Sequence, residues 1–328
     1  MINLNNVGLN TSSLSFTLGY KKKLNGVKNK KPTSIVTLLD NIKKLGINGI
    51  EFPYFRFYKE NKKILQIKKI LDKKKIFCVI DSDLEIDTNQ ILNLIPIAKK
   101  INSKVIRIKA SNILSSERWR ENNNWNEKIK IIIKKINSLK KILIKNKIKI
   151  AIENHQDFDS HELKYIIKKV GKNIVGINFD IGNAFATLED PMQFAKRLAP
   201  YIINVHIKDY KIYKCKNGIT LSRCALGNGD VQFDKILPFL EKKCPKIKFS
   251  IELGALESRK ILAGNKFFWK KFTYDIDNKK NFYKKVYSKS VYVKKVNKNP
   301  WEKNMSSKSI LKFEMDEIKK SINFLNNI

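Results

Sequence analysis

Four short, nearly unbroken apolar runs constrain this chain most, because each ends on a side chain that binds hard cations. They read KIKIAIENH, IVGINFDIGN, IINVHIKD and KIKFSIEL, and they present Glu153, Asp180, His206 and Glu252 at or just past their C-terminal ends. Strands buried on both faces give such runs, as in a parallel sheet covered by helices. A (β/α)8 barrel carries its chemistry at the C-terminal ends of its strands, so one run after another with a ligand at its tip fits that architecture. Three carboxylates and one imidazole suit a single divalent ion, Mn2+ or Mg2+ with Co2+ as a further candidate, better than a closed structural zinc site.

The rest of the chain supplies the other strands and helices in alternation. GLNTSSLSFTLGY (8–20), NGIEFPY (48–54), IFCVIDSD (76–83) and KVIRIKAS (104–111) read as strands one to four, the second delivering Glu51 and the third ending at Asp81. SIVTLLDNIKKLG begins with a Ser34 cap, carries apolar residues at helical spacing and stops at Gly46. Helices are expected over 60–71, over 86–102 with Pro96 as a kink or boundary, and over 125–145, the clearest of them. Asp159 and Glu162 have capping-box spacing before a helix that Gly171 ends, and Pro191 fits the first turn of another. VQFDKILPFLEKK (231–243) and a last helix near 310–325 complete the set.

Eight strands with helices between most of them form a single (β/α)8 TIM barrel domain over 1–328. A doubly wound open sheet would need a Gly-rich phosphate loop after an early strand, and none appears. Three stretches depart from the alternation. Residues 112–126 read as a long loop over the barrel top, in which Trp119 and Trp125 shield the site. Residues 210–230 form an excursion after strand seven, and residues 257–309 form a long C-terminal excursion, a cover or an oligomer contact, before the last helix.

Charge bears on partners. Lysine and arginine total 67 against 30 acidic residues, a formal net charge of +37, yet only seven of the basic residues are arginine. A surface that reads bases or phosphates usually draws on arginine's rigid fork as well, so the lysine reads as a solvated coat without a specific nucleic-acid partner. That field still steers anionic small molecules inward. The four cysteines, Cys78, Cys215, Cys224 and Cys244, lack a C-x-x-C spacing and imply free thiols in a reducing cytoplasm. No stretch approaches the roughly 18 apolar residues of a membrane span.

ENHQDFDSHEL, GINFDIGNAF followed by LEDP, VHIKDY and LGNGDVQFDKIL together resemble the sugar isomerase/epimerase group of the xylose-isomerase-like TIM barrels, over roughly residues 7–253. The resemblance implies one divalent metal held by Glu153, Asp180, His206 and Glu252, with Glu153 and Glu252 also moving the proton. It implies an isomerase or epimerase of a sugar, sugar acid or sugar phosphate, acting through a metal-stabilised enediolate, in a chain that could be a homo-oligomer. Members of the same superfamily dehydrate inosose-like or shikimate-type substrates without an organic cofactor, the alternative reading. A nuclease branch with a trinuclear zinc site needs more than the three histidines present, His155, His161 and His206. Where the epimerases often place a histidine after the metal-binding aspartate, this chain has Asn183, which donates a hydrogen bond but does not titrate.

The remaining candidates concern substrate. His155 shares the strand face of Glu153 if extension continues, and Glu51 and Asp81 could accept substrate hydroxyls. Arg223, in the excursion after strand seven, is the single best candidate for an anion clamp because arginine is so rare here. Asp209 could orient the site or hold a lysine, and Gly227 and Gly229 in LGNGD suggest a tight turn into the next helix.

Overall fold

A computed structural model describes residues 2–53, 63–121, 124–254, 257–293 and 296–328, the side chains of 83 and 84 excepted. In chain order the strands are β1 Val7–Asn10, β2 Gly49–Pro53, β3 Phe77–Glu85, β4 Val105–Lys109, β5 Lys149–Glu153, β6 Val175–Asp180, β7 Ile202–Ile207, β8 Asp209–Cys215, β9 Gly218–Cys224, β10 Phe249–Ile251, β11 Arg259–Ile261 and β12 Val291–Tyr292. Eight of them, β1 to β7 and β10, close a parallel barrel in the order β1-β10-β7-β6-β5-β4-β3-β2. The four others form a second sheet in the order β11-β9-β8-β12. The helices that concern the site are α1 Ile35–Asn41, α2 Ile64–Lys74, α3 Thr88–Lys100, α4 Trp125–Ser138, α5 Lys140–Asn146, α6 Ser160–Val170, α7 Pro191–Leu198, α8 Phe233–Lys243, α9 Ile276–Lys289 and α10 Ser307–Asn326.

The barrel forms because its strands are apolar on both faces. Ile150, Ala151 and Ile152 of β5 are consecutive and all inaccessible to solvent, one face turned to the barrel interior and the other to the helical layer. Register then gathers the polar tips. Asp180 lies opposite His206 across β6 and β7, Ser250 of β10 lies opposite His206, and Asn10 lies opposite Glu51 across β1 and β2. Glu252, one residue past β10, therefore joins the same rim.

Local chemistry sets the helix ends. Asp159 accepts from the backbone N–H groups of His161 and Glu162, while the Glu162 side chain accepts from the Asp159 N–H at 2.9 Å, the reciprocal box expected from the spacing. Pro191 opens α7, and Pro96 sits inside an uninterrupted α3.

Several boundaries differ from the sequence expectation. The first strand stops at Asn10 because Asn10 caps a 3-10 turn, Thr11–Leu14, with its side chain. Strand three continues past Asp81 to Glu85 with a register shift against β4. The long helix over 125–145 is two, broken at Leu139. Tyr54 of the second expected strand and residues 60–62 of the following helix lie outside the described residues; α2 runs on to Lys74. The excursion after β7 is a β-hairpin, β8–β9.

The segment 257–309 lies against the barrel through a buried ionic network at the start of α6. Arg118 donates both guanidinium NH groups to the Glu162 carboxylate at 2.8 Å each, and its Nε to the Asp157 carbonyl at 2.7 Å. Its guanidinium packs 4.0 Å from the centre of the Phe272 ring. Lys279 of α9, also buried, sits 3.2 Å from Asp159. Trp125 donates its indole N–H to Glu162 at 2.8 Å, and Trp119 packs on Phe268, 6.1 Å between ring centres. Both tryptophans thus fasten the 112–126 loop to this network and to the C-terminal segment; neither lines the barrel mouth, which corrects the expectation that they shield the site.

Helix α10 returns to the beginning of the chain. Its buried Glu314 accepts from the Phe16 N–H at 2.8 Å, the Thr17 N–H at 2.9 Å and the Thr17 hydroxyl at 2.6 Å. Among the described residues no helix is long and apolar enough to cross a membrane.

Candidate active site

Glu153, Asp180, His206 and Glu252, the four residues singled out in the sequence, meet at the C-terminal end of the barrel, one ligand atom from each lying within 4.8 Å of the others. His206 Nδ1 lies 3.7 Å from Glu153 Oε1 and 3.9 Å from Glu252 Oε2. That nitrogen is buried and has no hydrogen-bond partner. The other ring nitrogen, Nε2, is 2.8 Å from Glu51 Oε1, which also accepts from Asn10 Nδ2 at 3.1 Å. A carboxylate on the far nitrogen fixes the ring's orientation and leaves the near nitrogen as ligand, a common arrangement in metal centres. The donor set and the orphaned Nδ1 therefore fit one divalent ion.

Neighbouring strands lock these side chains. Asn154 donates Nδ2 to the Asp180 carbonyl at 2.8 Å and accepts from the Asp180 N–H at 2.7 Å, tying β5 to β6 directly behind the ligands. Asn183 donates Nδ2 to Asp180 Oδ2 at 2.8 Å and to Glu153 Oε1 at 3.4 Å. Its own oxygen accepts from Gln156 Nε2 at 3.1 Å and from the Tyr210 hydroxyl at 3.2 Å. Ser12 donates to Glu252 Oε1 at 3.1 Å.

Two cations share the floor. Lys208 is 2.7 Å from Asp180 Oδ2 and also contacts Glu252, and Arg107 bridges Glu153 and Asp81. Burial pushes the Glu252 carboxyl up, but Lys208 and His206 more than offset this and hold it below the usual carboxylate range. For Asp180 burial wins over Lys208, and its carboxyl is raised. Burial opposes the charged form of His206 too, yet Glu51 and Glu252 leave its imidazole more basic than usual.

Above this floor lies a cavity of roughly 280 Å³, the size of a small sugar-like molecule, lined by Asp81, His155, Asn183, Lys208, Glu252 and Arg259 among others. His155 Nδ1 has no partner, and burial together with Lys109, Arg107 and Lys208 keeps the ring well below its ordinary pKa, so it stands neutral against the cavity.

Of the residues expected to contact substrate, His155, Asn183 and Asp81 line the cavity. Glu51 instead lies wholly buried beneath it and orients His206. Arg223 is turned away: it lies 3.7 Å from Glu317 of α10 and stacks over the Phe313 ring. Asp209 accepts from the N–H groups of Gly227, Gly229 and Val231 at 3.0, 2.9 and 3.2 Å, filling the LGNGD turn with the chain's own carboxylate. A Cβ on Gly229 would lie 2.1 Å from Asp209 Oδ1, so that turn needs glycine. Sequence reasoning missed Arg107, Gln156, Tyr210 and Arg259 and gave Lys208 no role. Only Arg107 left a signal, as the one arginine inside an apolar strand run.

Asp157, four residues past Glu153, is wholly buried. It accepts from the Ser111 hydroxyl at 2.7 Å and the Phe158 N–H at 2.8 Å, and burial pushes its carboxyl up to about 6. A carboxyl raised in the folded state contributes stability that is complete below its unfolded pKa and lost as pH rises through the folded one. At about 1.4 kcal/mol per pH unit, the loss between pH 4 and 6 is roughly 3 kcal/mol. Urea unfolding at pH 4, 5, 6 and 7 should show Asp157→Asn gaining on the wild type across that window. Parallel stability profiles would refute the assignment.

Residues 39–264 match the family model for the xylose isomerase-like TIM barrel, and the chain belongs to that family. The uncharacterized protein YihM of Escherichia coli (strain K12) is 37% identical over 90 residues, covering 27% of this chain and 28% of that protein. The 3-oxo-isoapionate decarboxylase of Pectobacterium atrosepticum is 28% identical over 91 residues, 27% of this chain and 33% of that protein. The matches thus span a third or less of the length of these curated relatives. A xylose isomerase-like TIM barrel protein from Mycobacterium smegmatis, solved in complex with magnesium, aligns with a TM-score of 0.59 at 15% identity, covering 88% of this chain and 99% of that one. At that identity the likeness concerns the fold. A probable 3-DHS dehydratase from Bacillus anthracis, the 3-keto-D-glucoside 4-epimerase YcjR from E. coli and a D-tagatose 3-epimerase-like protein share the fold at 16%, 12% and 20% identity.

Proposed function

We propose that this protein is a divalent-metal-dependent isomerase or epimerase of a small sugar, sugar acid or sugar phosphate, working in the cytoplasm. The observation that carries this reading is the approach of Glu153 and Glu252 to His206 Nδ1, at 3.7 and 3.9 Å, within one four-residue cluster at the foot of a cavity of sugar size. Glu153, Asp180, His206 and Glu252 would hold the ion, Mn2+ or Mg2+ by the hardness of the set. When bound, it supplies Lewis-acid charge where the substrate carbonyl develops negative charge.

The chain's own groups do the rest. One glutamate takes the proton from the carbon beside the carbonyl and the other returns one, at the neighbouring carbon or on the opposite face. Asn183, held by Gln156 and Tyr210, keeps its amide N–H groups on Asp180 and Glu153 and so fixes the carboxylate that moves the proton. Lys208, which lines the cavity, holds Asp180 and Glu252 in place through its ammonium. His155, neutral, can accept or donate a hydrogen bond there without adding charge.

The test has two stages. Titration of the purified protein with Mn2+ should show one site, lost in His206→Ala. Incubation of the loaded protein with ketoses, an inosose and keto acids in D2O should then place deuterium on a carbon beside the carbonyl. Water loss from the product would mark a dehydratase instead, the second reading, and release of CO2 a decarboxylase. No metal site, or no solvent exchange with any member of the panel, would overturn the proposal.

A further inference from the structure

We infer that the substrate of this site carries an anionic group, a carboxylate or a phosphate, and that Arg259 of β11 is its seat. The inference rests on the proposed function for the cavity and adds the chemistry of the other end of the ligand.

Charge along the cavity wall is lopsided. Among the described residues the lining includes Lys21, Arg107, Lys208 and Arg259 as cations, and Asp81 and Glu252 as anions. Both anions are already engaged on the floor, Asp81 by Arg107 and Glu252 by Lys208 and Ser12. Behind the lining, Glu153 and Asp180 bring two more negative charges, which a divalent ion would match. With an ion bound to offset Glu153 and Asp180, Lys21 and Arg259 remain on the wall without a carboxylate partner among the described residues. Neutral sugars give such an excess nothing to neutralise, whereas an anion matches it in a partly desolvated pocket.

Within that excess Arg259 stands apart. Arg107 and Lys208 are committed to carboxylates. Arg223, the other arginine of the outer sheet, is paired with Glu317. Arg259 makes no side-chain hydrogen bond or ion pair with any described residue, yet it lines the cavity at the end of a strand whose register against β9 sets it opposite Leu221. Lys21, on the opposite segment after β1, likewise has no carboxylate partner among the described residues, and its ammonium lies over the Trp301 ring at 5.8 Å. A planar guanidinium with no hydrogen bond to a described residue, lining the same cavity as a second cation, is the arrangement that grips carboxylate or phosphate oxygens. The segment after β10 thus contributes recognition, whereas the barrel contributes the proton-moving groups.

The experiment compares gluconate, glucose 6-phosphate and inorganic phosphate with neutral glucose. Binding to Mn2+-loaded wild type, Arg259→Gln, Arg259→Lys and Lys21→Ala is followed by calorimetry at a fixed 150 mM salt. We expect at least one anion to bind wild type with a stoichiometry of one and at least tenfold more tightly than glucose. Gluconate ahead of the phosphates would identify a carboxylate seat, the reverse a phosphate seat. Arg259→Gln should erase the preference, and Arg259→Lys should keep part of it. Mn2+ affinity should be unchanged in all three variants, which also reports that they are folded. Equal anion binding by wild type and Arg259→Gln, or no preference over glucose in wild type, would overturn the inference while leaving the metal result standing. Failure of Mn2+ to bind wild type would instead overturn the proposed function, with the phosphate comparison still deciding the role of Arg259.

Discussion

Replacing Glu252 by glutamine should lower the rate of proton exchange on the cognate substrate by a factor on the order of 10²–10⁴, the usual worth of a positioned acid or base. The change is nearly isosteric, and Ser12 can still donate to the remaining carbonyl oxygen, so the rim should keep its shape. What disappears is the group that titrates. Because Glu252 is also one of the four ligands, the loss must be separated from loss of metal. Rates are therefore to be read at Mn2+ concentrations that saturate the variant, with occupancy measured independently. Glu153→Gln should produce a comparable drop, and the double variant should be little worse than either, since two groups acting on one proton path do not add. A saturated Glu252→Gln enzyme within tenfold of wild type would remove this glutamate from the chemistry and leave it a ligand alone.

The largest stability effect should come from a residue outside the site. Arg118 is wholly buried, forked onto Glu162 by two 2.8 Å hydrogen bonds. Burial raises the Glu162 carboxyl, and Arg118 beside it opposes that rise. Arg118→Met keeps much of the volume but leaves that carboxyl without its counter-charge, and breaking such a pair costs about 3–5 kcal/mol. In a domain of this size that shift corresponds to on the order of 10 °C in Tm. Scanning calorimetry of the variant checks it. Adding Glu162→Gln should recover a substantial part of the loss, because the buried carboxyl left without its partner, and not the missing packing, is the main cost. The glutamine still offers Trp125 an acceptor. A single variant within 1 kcal/mol of wild type would show that the network is ornamental to stability.

The barrel and its four converging side chains were legible because both rest on local rules. A strand buried on two faces must be apolar along its length, so a carboxylate or imidazole at the tip of such a run stands out, and Glu153, Asp180, His206 and Glu252 all do. The capping box at Asp159 and Glu162 and the proline at the head of α7 are equally local. What escaped depends on closure of the barrel and on the second sheet. Glu51 and His206 are 155 residues apart, and only the barrel's curvature turns one strand tip into the other's hydrogen-bond acceptor. Choosing between Arg223 and Arg259 needed the pairing of β9 with β11 and the approach of Glu317 from α10, neither of which has a local signature. The break at Leu139 lacks a glycine or proline, so the helical pattern ran through it.

The grip of Glu314 on Phe16 and Thr17 has a bearing on how the molecule comes together. A contact spanning 298 residues joins the final helix to the stretch that follows the opening strand, the stretch that also carries Ser12 and Lys21 to the mouth. The same stretch is tied to the end of β10 by Ser12 and Ser13, which donate to Glu252 and to the Ile251 carbonyl. Whatever loosens the tail of the polypeptide is accordingly felt at the doorway through which a ligand must pass.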